Sequence, residues 1–198
     1  MRWDELFADI EGQLEQELDA ERLDLEAEEE RLRLGRLALR ERLLAMSRGG
    51  AAVRLALVDG DALELRIDEA GRDWIAGETG VGETVVNGAG RTIVVPLTAV
   101  AAAFPGSDQL ESGLRPAPAE PGSALAGRLG LAFVLRELCR RRVAVELRTM
   151  LGTHHGTIDR VGRDHLDLAE HDAGEPRRER LVRRIRIVPF AAILRVRA

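Results

Sequence analysis

Ile158-Asp159-Arg160-Val161-Gly162-Arg163-Asp164 reads as the end of one strand, a tight glycine turn and the approach to another. The same phrase stands 91 residues earlier as Ile67-Asp68-Glu69-Ala70-Gly71-Arg72-Asp73. Downstream of each copy a second match appears, Val95-Pro96 against Val188-Pro189 at an offset of 93. Upstream, Gly35-Arg36-Leu37 recurs as Gly127-Arg128-Leu129 at an offset of 92. Three nearly equal offsets define a repeated unit, one helix followed by five strands, used twice.

The residues between these landmarks alternate as strands do. Val53, Leu55 and Leu57 lie on one side of Arg54 and Ala56, and Leu63, Leu65 and Ile67 on one side of Glu64 and Arg66. Val143, Val145 and Leu147 alternate with Ala144, Glu146 and Arg148 in the second unit. Pro96 and Pro189 lack a backbone donor and mark where a strand ends before a last edge strand. A glycine-rich loop is read at 77–90 and a charged loop at 170–180.

Residues 2–47 hold no proline and are rich in Leu, Glu, Arg and Ala, all good helix formers. Leu6, Ile10, Leu14 and Leu18 step by four, and Leu18, Leu25, Leu32, Leu39 and Met46 by seven. A continuous helix over this stretch is about 65 Å long. Its companion heptad positions hold Arg22, Glu29 and Arg36, so it reads as a solvated helix or as a dimerisation or docking arm, not as a self-sufficient coiled coil. Gly49-Gly50 stops it. A second helix is expected over 124–141.

The layout of one helix and five strands, twice over, with Leu147, Gly152, Gly156, Ile158, Val161, Gly162, Asp164 and Leu166 at their spacings and Ile187-Val188-Pro189-Phe190 before Ile193, resembles the Sm-like (LSm) small β-barrel. SH3-like and PRC-type barrels share the same pattern. The fold class expected is therefore α+β, mainly β. It comprises an acidic N-terminal helix (1–48), a first five-stranded small barrel (49–104), a Pro/Gly linker (105–123), and a helix with the second barrel (124–198). The resemblance implies assembly through edge strands and, in many members, binding of uridine-rich RNA through an Asp and an Asn. Those two positions are Gly162 and Leu166 here, and Gly71 and Ile75 in the first unit. The family's Arg-Gly pair is replaced by Pro189-Phe190 and Pro96-Leu97, so its RNA pocket does not carry over residue by residue.

Composition narrows the function classes. The single Cys139 excludes an intramolecular disulfide, and no apolar run approaches the roughly 20 residues of a membrane span. The acidic start, Met1-Arg2-Trp3-Asp4-Glu5, is no signal peptide, and a cytoplasmic protein is expected. All 29 basic residues are Arg. Residues 121–198 hold 16 Arg against 9 acids, while residues 1–50 hold 8 Arg against 14 acids. The basic set Arg140, Arg141, Arg142, Arg160, Arg177, Arg178, Arg180, Arg183, Arg184 and Arg186 is the candidate nucleic-acid surface, since Arg clamps phosphates. Phe190 alone offers a stacking ring nearby, which favours protein–protein contact, including self-association, over nucleic acid.

Gly71, Arg72 and Asp73, with Gly162, Arg163 and Asp164, are read as structural turn residues, because the acids recur at the same places in both units. His154, His155, His165 and His171 are read as solvent-facing turn histidines, and neither a metal site nor a cofactor is expected. No catalytic constellation and no small-molecule substrate site is legible. The expected function is a non-catalytic binding or assembly module, homodimeric in its simplest form. The alternative is a nucleic-acid-binding protein.

Overall fold

The computed structural model describes residues 3–79, 92–115, 126–175 and 177–198. The chain separates into a helical unit, Met1–Ala38, and a second unit, Leu39–Ala198. Most of the glycine-rich loop and the end of the Pro/Gly linker lie outside the described residues, as do the side chains of Leu6 and Ile10.

The helical unit is α1 (Trp3–Gly35). Its described leucines, Leu14, Leu18, Leu25 and Leu32 among them, are exposed. Arg31 pairs with Glu28 at 3.2 Å and Arg33 with Glu30 at 2.6 Å, the i to i+3 contacts that support a helix in water. The expected single helix to residue 48 is interrupted after Gly35. A separate helix, α2 (Leu39–Met46), belongs to the second unit, where Leu43 and Met46 are buried. The seven-residue series from Leu18 to Met46 is therefore not one seam. Its last two members serve the second unit's helix.

The second unit is one open antiparallel sheet of ten strands, ordered β5-β1-β2-β3-β4-β10-β6-β7-β8-β9. The first half holds β1 (Val53–Leu57), β2 (Ala62–Ala70), β3 (Trp74–Thr79), β4 (Thr92–Pro96) and β5 (Val100–Phe104). The second holds β6 (Ala144–Thr149), β7 (Gly152–Val161), β8 (His165–Glu170), β9 (Arg184–Pro189) and β10 (Ile193–Arg197). The two halves match residue for residue. Ile67 faces Gly77 as Ile158 faces Leu168, and each pair is followed by the same irregularity, between Ile67 and Glu69 and between Ile158 and Arg160. A three-residue helical turn follows each proline, at Leu97–Ala99 and Phe190–Ala192.

Each half has its own apolar core. One gathers Leu43, Leu55, Leu65, Ile75, Ile93 and Val95, and the other Leu135, Leu147, Ile158, Leu166, Leu168 and Val188. A short helix α3 (Ser107–Ser112) occupies part of the expected linker and is tied down by Gln109, whose amide donates to the Ala52 carbonyl at 2.9 Å. The next helix, α4 (Leu131–Arg140), begins later than its apolar pattern suggests, because Gly130 adopts extended backbone immediately before it. α4 seats Leu135 in the second core as α2 seats Leu43 in the first.

The halves are joined by pairing of β4 with β10, Val94 against Val196 and Ile93 against Arg197. Across that joint, Leu194 of β10 enters the first core, while Trp74, Ala76 and Val94 enter the second. Arg148 adds an ion pair to Asp59 at 3.1 Å, linking the β1–β2 turn to β6. Among the described residues no helix is long and apolar enough to cross a membrane.

Candidate functional site

The repeated glycine phrase forms the turn between the second and third strand of each half. Gly71 donates its amide to the Trp74 carbonyl at 2.9 Å, and Gly162 donates to the His165 carbonyl at 2.8 Å. The Asp73 carbonyl accepts from the Leu97 amide and the Asp164 carbonyl from the Phe190 amide, at 2.9 and 2.8 Å. In both turns the side chain three residues on lies over the glycine, and at Gly71 the Leu129 backbone carbonyl also crowds it. A Cβ on Gly71 would meet the Trp74 indole at 2.0 Å, and one on Gly162 the His165 ring at 2.6 Å.

What the two turns hold is not the same. The first clamps the start of α4: Arg72 N and Trp74 Nε1 both donate to the Leu129 carbonyl, at 2.8 and 3.0 Å, and Asp73 Oδ1 accepts the Leu131 amide at 2.7 Å. Asp73 thus satisfies one of the open amides of a helix N-terminus. The side chain of Asp164, its counterpart, is exposed and among the described residues pairs with the neighbouring His165, at 2.9 Å. Arg72 reaches Asp73 at 3.5 Å, and Arg163 is exposed.

The arginine set is distributed among carboxylates. Arg140 and Arg141 hold Glu137 at 2.7 and 2.6 Å, and their hydrogen bonds bring its carboxyl down to about 2. Asp159 accepts from Arg177 at 2.6 Å and from Arg142 at 3.1 Å, and the Arg177 hydrogen bond lowers its pKa. Arg160 faces Asp167 at 3.8 Å and Arg183 pairs with Asp172 at 2.6 Å. Arg184 and Arg186 both donate their Nε to Glu170. Arg178 and Arg180 have no ion pair among the described residues. Eight of the ten are therefore paired locally, sharing the five carboxylates Glu137, Asp159, Asp167, Glu170 and Asp172.

The histidines differ from the solvent-facing expectation. His171 is buried and His154 half-buried, where the end of β8 pairs with β7 and the His171 amide donates to the His155 carbonyl at 3.2 Å. Among the described residues no group of three or more His, Cys, Asp or Glu is placed to hold a metal ion.

The features the sequence reading did not locate are the outer edges of the sheet. Among the described residues no strand pairs with the free side of β5 or of β9. By register, β9 is the counterpart of β4, and β5 the counterpart of β10, and those two are joined to each other inside the chain. Residues buried at the internal joint have exposed counterparts at the edges. Val94 corresponds to Ile187, Trp74 to His165, Leu194 to Ala101 and Arg197 to Phe104; the first of each pair is buried and the second exposed. Ile185 and Ile187 give β9 an apolar outer face, while Arg184 and Arg186 turn to the opposite side toward Glu170. An unpaired strand edge with an exposed apolar row is a template for another strand.

Comparison with known proteins adds no family: no protein-family model, curated protein or solved structure matches the chain.

Proposed function

We propose that the chain is a non-catalytic assembly module that associates with copies of itself, β9 of one copy adding to β5 of the next. In this reading each half is a small five-stranded barrel of the Sm-like or SH3-like type, and the internal β4–β10 joint is the template for the joint between chains. The observation that carries it is the matched register of the halves. It leaves two complementary edges, one of each kind, at the two ends of a single sheet. The turn residues support the same arrangement. Asp73 caps the second half's helix across the internal joint, and Asp164 stands open in the corresponding place, where the amide of Leu39 from the next copy fits.

The joint between chains is weaker than the one within. Where the internal joint buries Trp74 and Leu194, the outer edges offer His165 and Ala101, so less apolar surface leaves water. A contact that joins two different edges runs head to tail, and closes into a ring or extends into a filament according to the rotation per step. Nucleic-acid binding has less support, since most of the arginines that would clamp phosphates are already paired with carboxylates.

Register supplies the test. Val196 faces Val94 inside the chain, so Ala103 of one copy faces Ile187 of the next. A chain carrying Ala103→Cys and Ile187→Cys, with Cys139→Ser, is expected to form disulfide-linked multimers on mild oxidation, because directly opposed residues of paired strands meet the distance requirement. Each single-cysteine variant is expected to stay unlinked. Equal linking by Ile187→Cys alone, or none by the pair, would contradict the register.

A further inference from the structure

The two halves part company at one end of the core. His154 faces Leu147 where the first half sets Leu63 against Leu55, and Arg186 faces Leu168 where the first half sets Ile93 against Gly77. Glu170 stands at the place of Thr79. Leu63 and Ile93 are buried, so the fold closes this end with aliphatic side chains when nothing else is asked of it. In the second half the same end holds a buried carboxylate, two arginines and an imidazole. Such a group brings a desolvation cost that apolar residues of similar size avoid, and the neighbouring half shows that the fold does not need it.

Beside this cluster lies a cavity of about 430 Å³ bordered by His154, His155, Glu170, His171, Arg183 and Arg184, within the size range of small-ligand sites. Its acids are occupied. Glu170 accepts from the Nε of Arg184 and of Arg186, with His154 Nδ1 at 3.3 Å, and Asp172 accepts from Arg183. His171 is held at both ring nitrogens: its Nδ1 donates to the Asp172 carbonyl at 3.0 Å, and its Nε2 lies 2.9 Å from the Thr157 hydroxyl. The cations retain open donors. Arg184 spends only its Nε on Glu170, and its two Nη groups have no partner among the described residues. Arg183 and Arg184 are both largely exposed at the mouth. Three arginines against two carboxylates leave this end positive.

We propose that this cavity is a binding site for a small anion-bearing molecule, a phosphate or polycarboxylate compound, gripped by the open donors of Arg183 and Arg184 with His155 beside them. Glu170 acts as a positioning residue. By holding the Nε edge of Arg184 it turns the guanidinium's remaining N–H groups outward, the fork geometry that suits phosphate and carboxylate oxygens.

Titration calorimetry of the full chain in low-salt buffer, with pyrophosphate and with citrate as probes, tests the site. The expected result is saturable binding of at least one probe, one per chain; which one binds tells phosphate from carboxylate. Arg183→Gln with Arg184→Gln, both at exposed side chains, is expected to lower affinity about tenfold or more. Arg178→Gln with Arg180→Gln, outside the cavity, is expected to leave it within about twofold. The variant His154→Leu, Glu170→Thr, Arg186→Ile, which installs the first half's residues, is expected to fold and to bind neither probe. Failure of both probes to saturate at millimolar concentration overturns the proposal. So does unchanged binding by the Arg183/Arg184 variant, or an equal loss in the Arg178/Arg180 variant.

Discussion

Val94 and Ile187 hold the same register position in the two halves of the sheet, one opposite Ala76 and the other opposite Asp167. Val94 is 6% exposed and Ile187 68%. The difference lies in the neighbour: β10 covers β4, and among the described residues nothing covers β9. Fully burying an isoleucine side chain contributes about 1.5–3 kcal/mol, so leaving Ile187 in water forgoes a substantial part of that.

Asp164 has the same logic. If it caps Leu39 of a neighbouring copy, as Asp73 caps Leu131 within the chain, Asp164→Ala weakens association by the roughly 1 kcal/mol a helix cap is worth. The stability of the isolated chain should stay within about 0.5 kcal/mol, since the side chain is exposed. Sedimentation velocity over a concentration series, with urea unfolding alongside, separates the two effects.

Leu43 and Leu135 occupy matching places on α2 and α4, and each is fully buried. Leu43→Ala and Leu135→Ala should each cost about 2–5 kcal/mol, the range for deleting a buried leucine's side chain. Comparable losses in urea unfolding are expected, because both helices close a core of the same design.

The repeated turn gives unequal substitutions. A Cβ at Gly71 would meet the Trp74 indole at 2.0 Å and the Leu129 carbonyl, which is backbone, at 2.5 Å. Gly71→Ala should therefore cost about 3 kcal/mol or more. At Gly162 the nearest atoms belong to the half-exposed ring of His165, which is free to swing away. Gly162→Ala should cost less than about 1 kcal/mol. Denaturant midpoints of the two variants check this, and equal losses would refute it.

His154 gives a pH dependence with a defined sign. Burial, and then the charge of Arg186, hold its pKa below the usual histidine value of about 6.5. The unfolded chain thus takes up the proton first, and stability falls as pH drops below about 6.5. His154→Leu removes this contribution. The variant's urea midpoint should change less between pH 7 and pH 5 than the parent's. Glu170 and Asp159 act lower. Burial raises the Glu170 pKa, but hydrogen bonds from Arg186 and Arg184 outweigh it, and Arg177 lowers that of Asp159. Their stabilising effect is present above the ordinary carboxylate pKa and is lost as pH falls through the lowered values.

Alternation of Val53, Leu55 and Leu57 and of Leu63, Leu65 and Ile67 marks strands without ambiguity, since period two has no other use. The glycine phrase marks the turn because a side chain must pass over it. The break after Gly35 was hidden: one glycine among strong helix formers costs only about 1 kcal/mol, less than the first core gains by claiming Leu43 and Met46. The arginine set misled for a related reason. Its partners Asp159 and Glu170 come from β7 and β8, and ion pairing across elements leaves no mark on linear charge density; only Glu137, three and four residues before Arg140 and Arg141, was within reach of the sequence. The pairing of β4 with β10, and with it the two open edges, depends on contact between segments about a hundred residues apart.

Solution mass is the most direct test of assembly. Sedimentation equilibrium of the full chain at micromolar concentration should return multiples of 21.7 kDa, and Ile187→Lys, which puts a charge on the open edge, should return a folded species of 21.7 kDa. A parent that sediments as a single 21.7 kDa species across that range, or an Ile187→Lys chain that assembles as the parent does, would contradict association through β9 and β5.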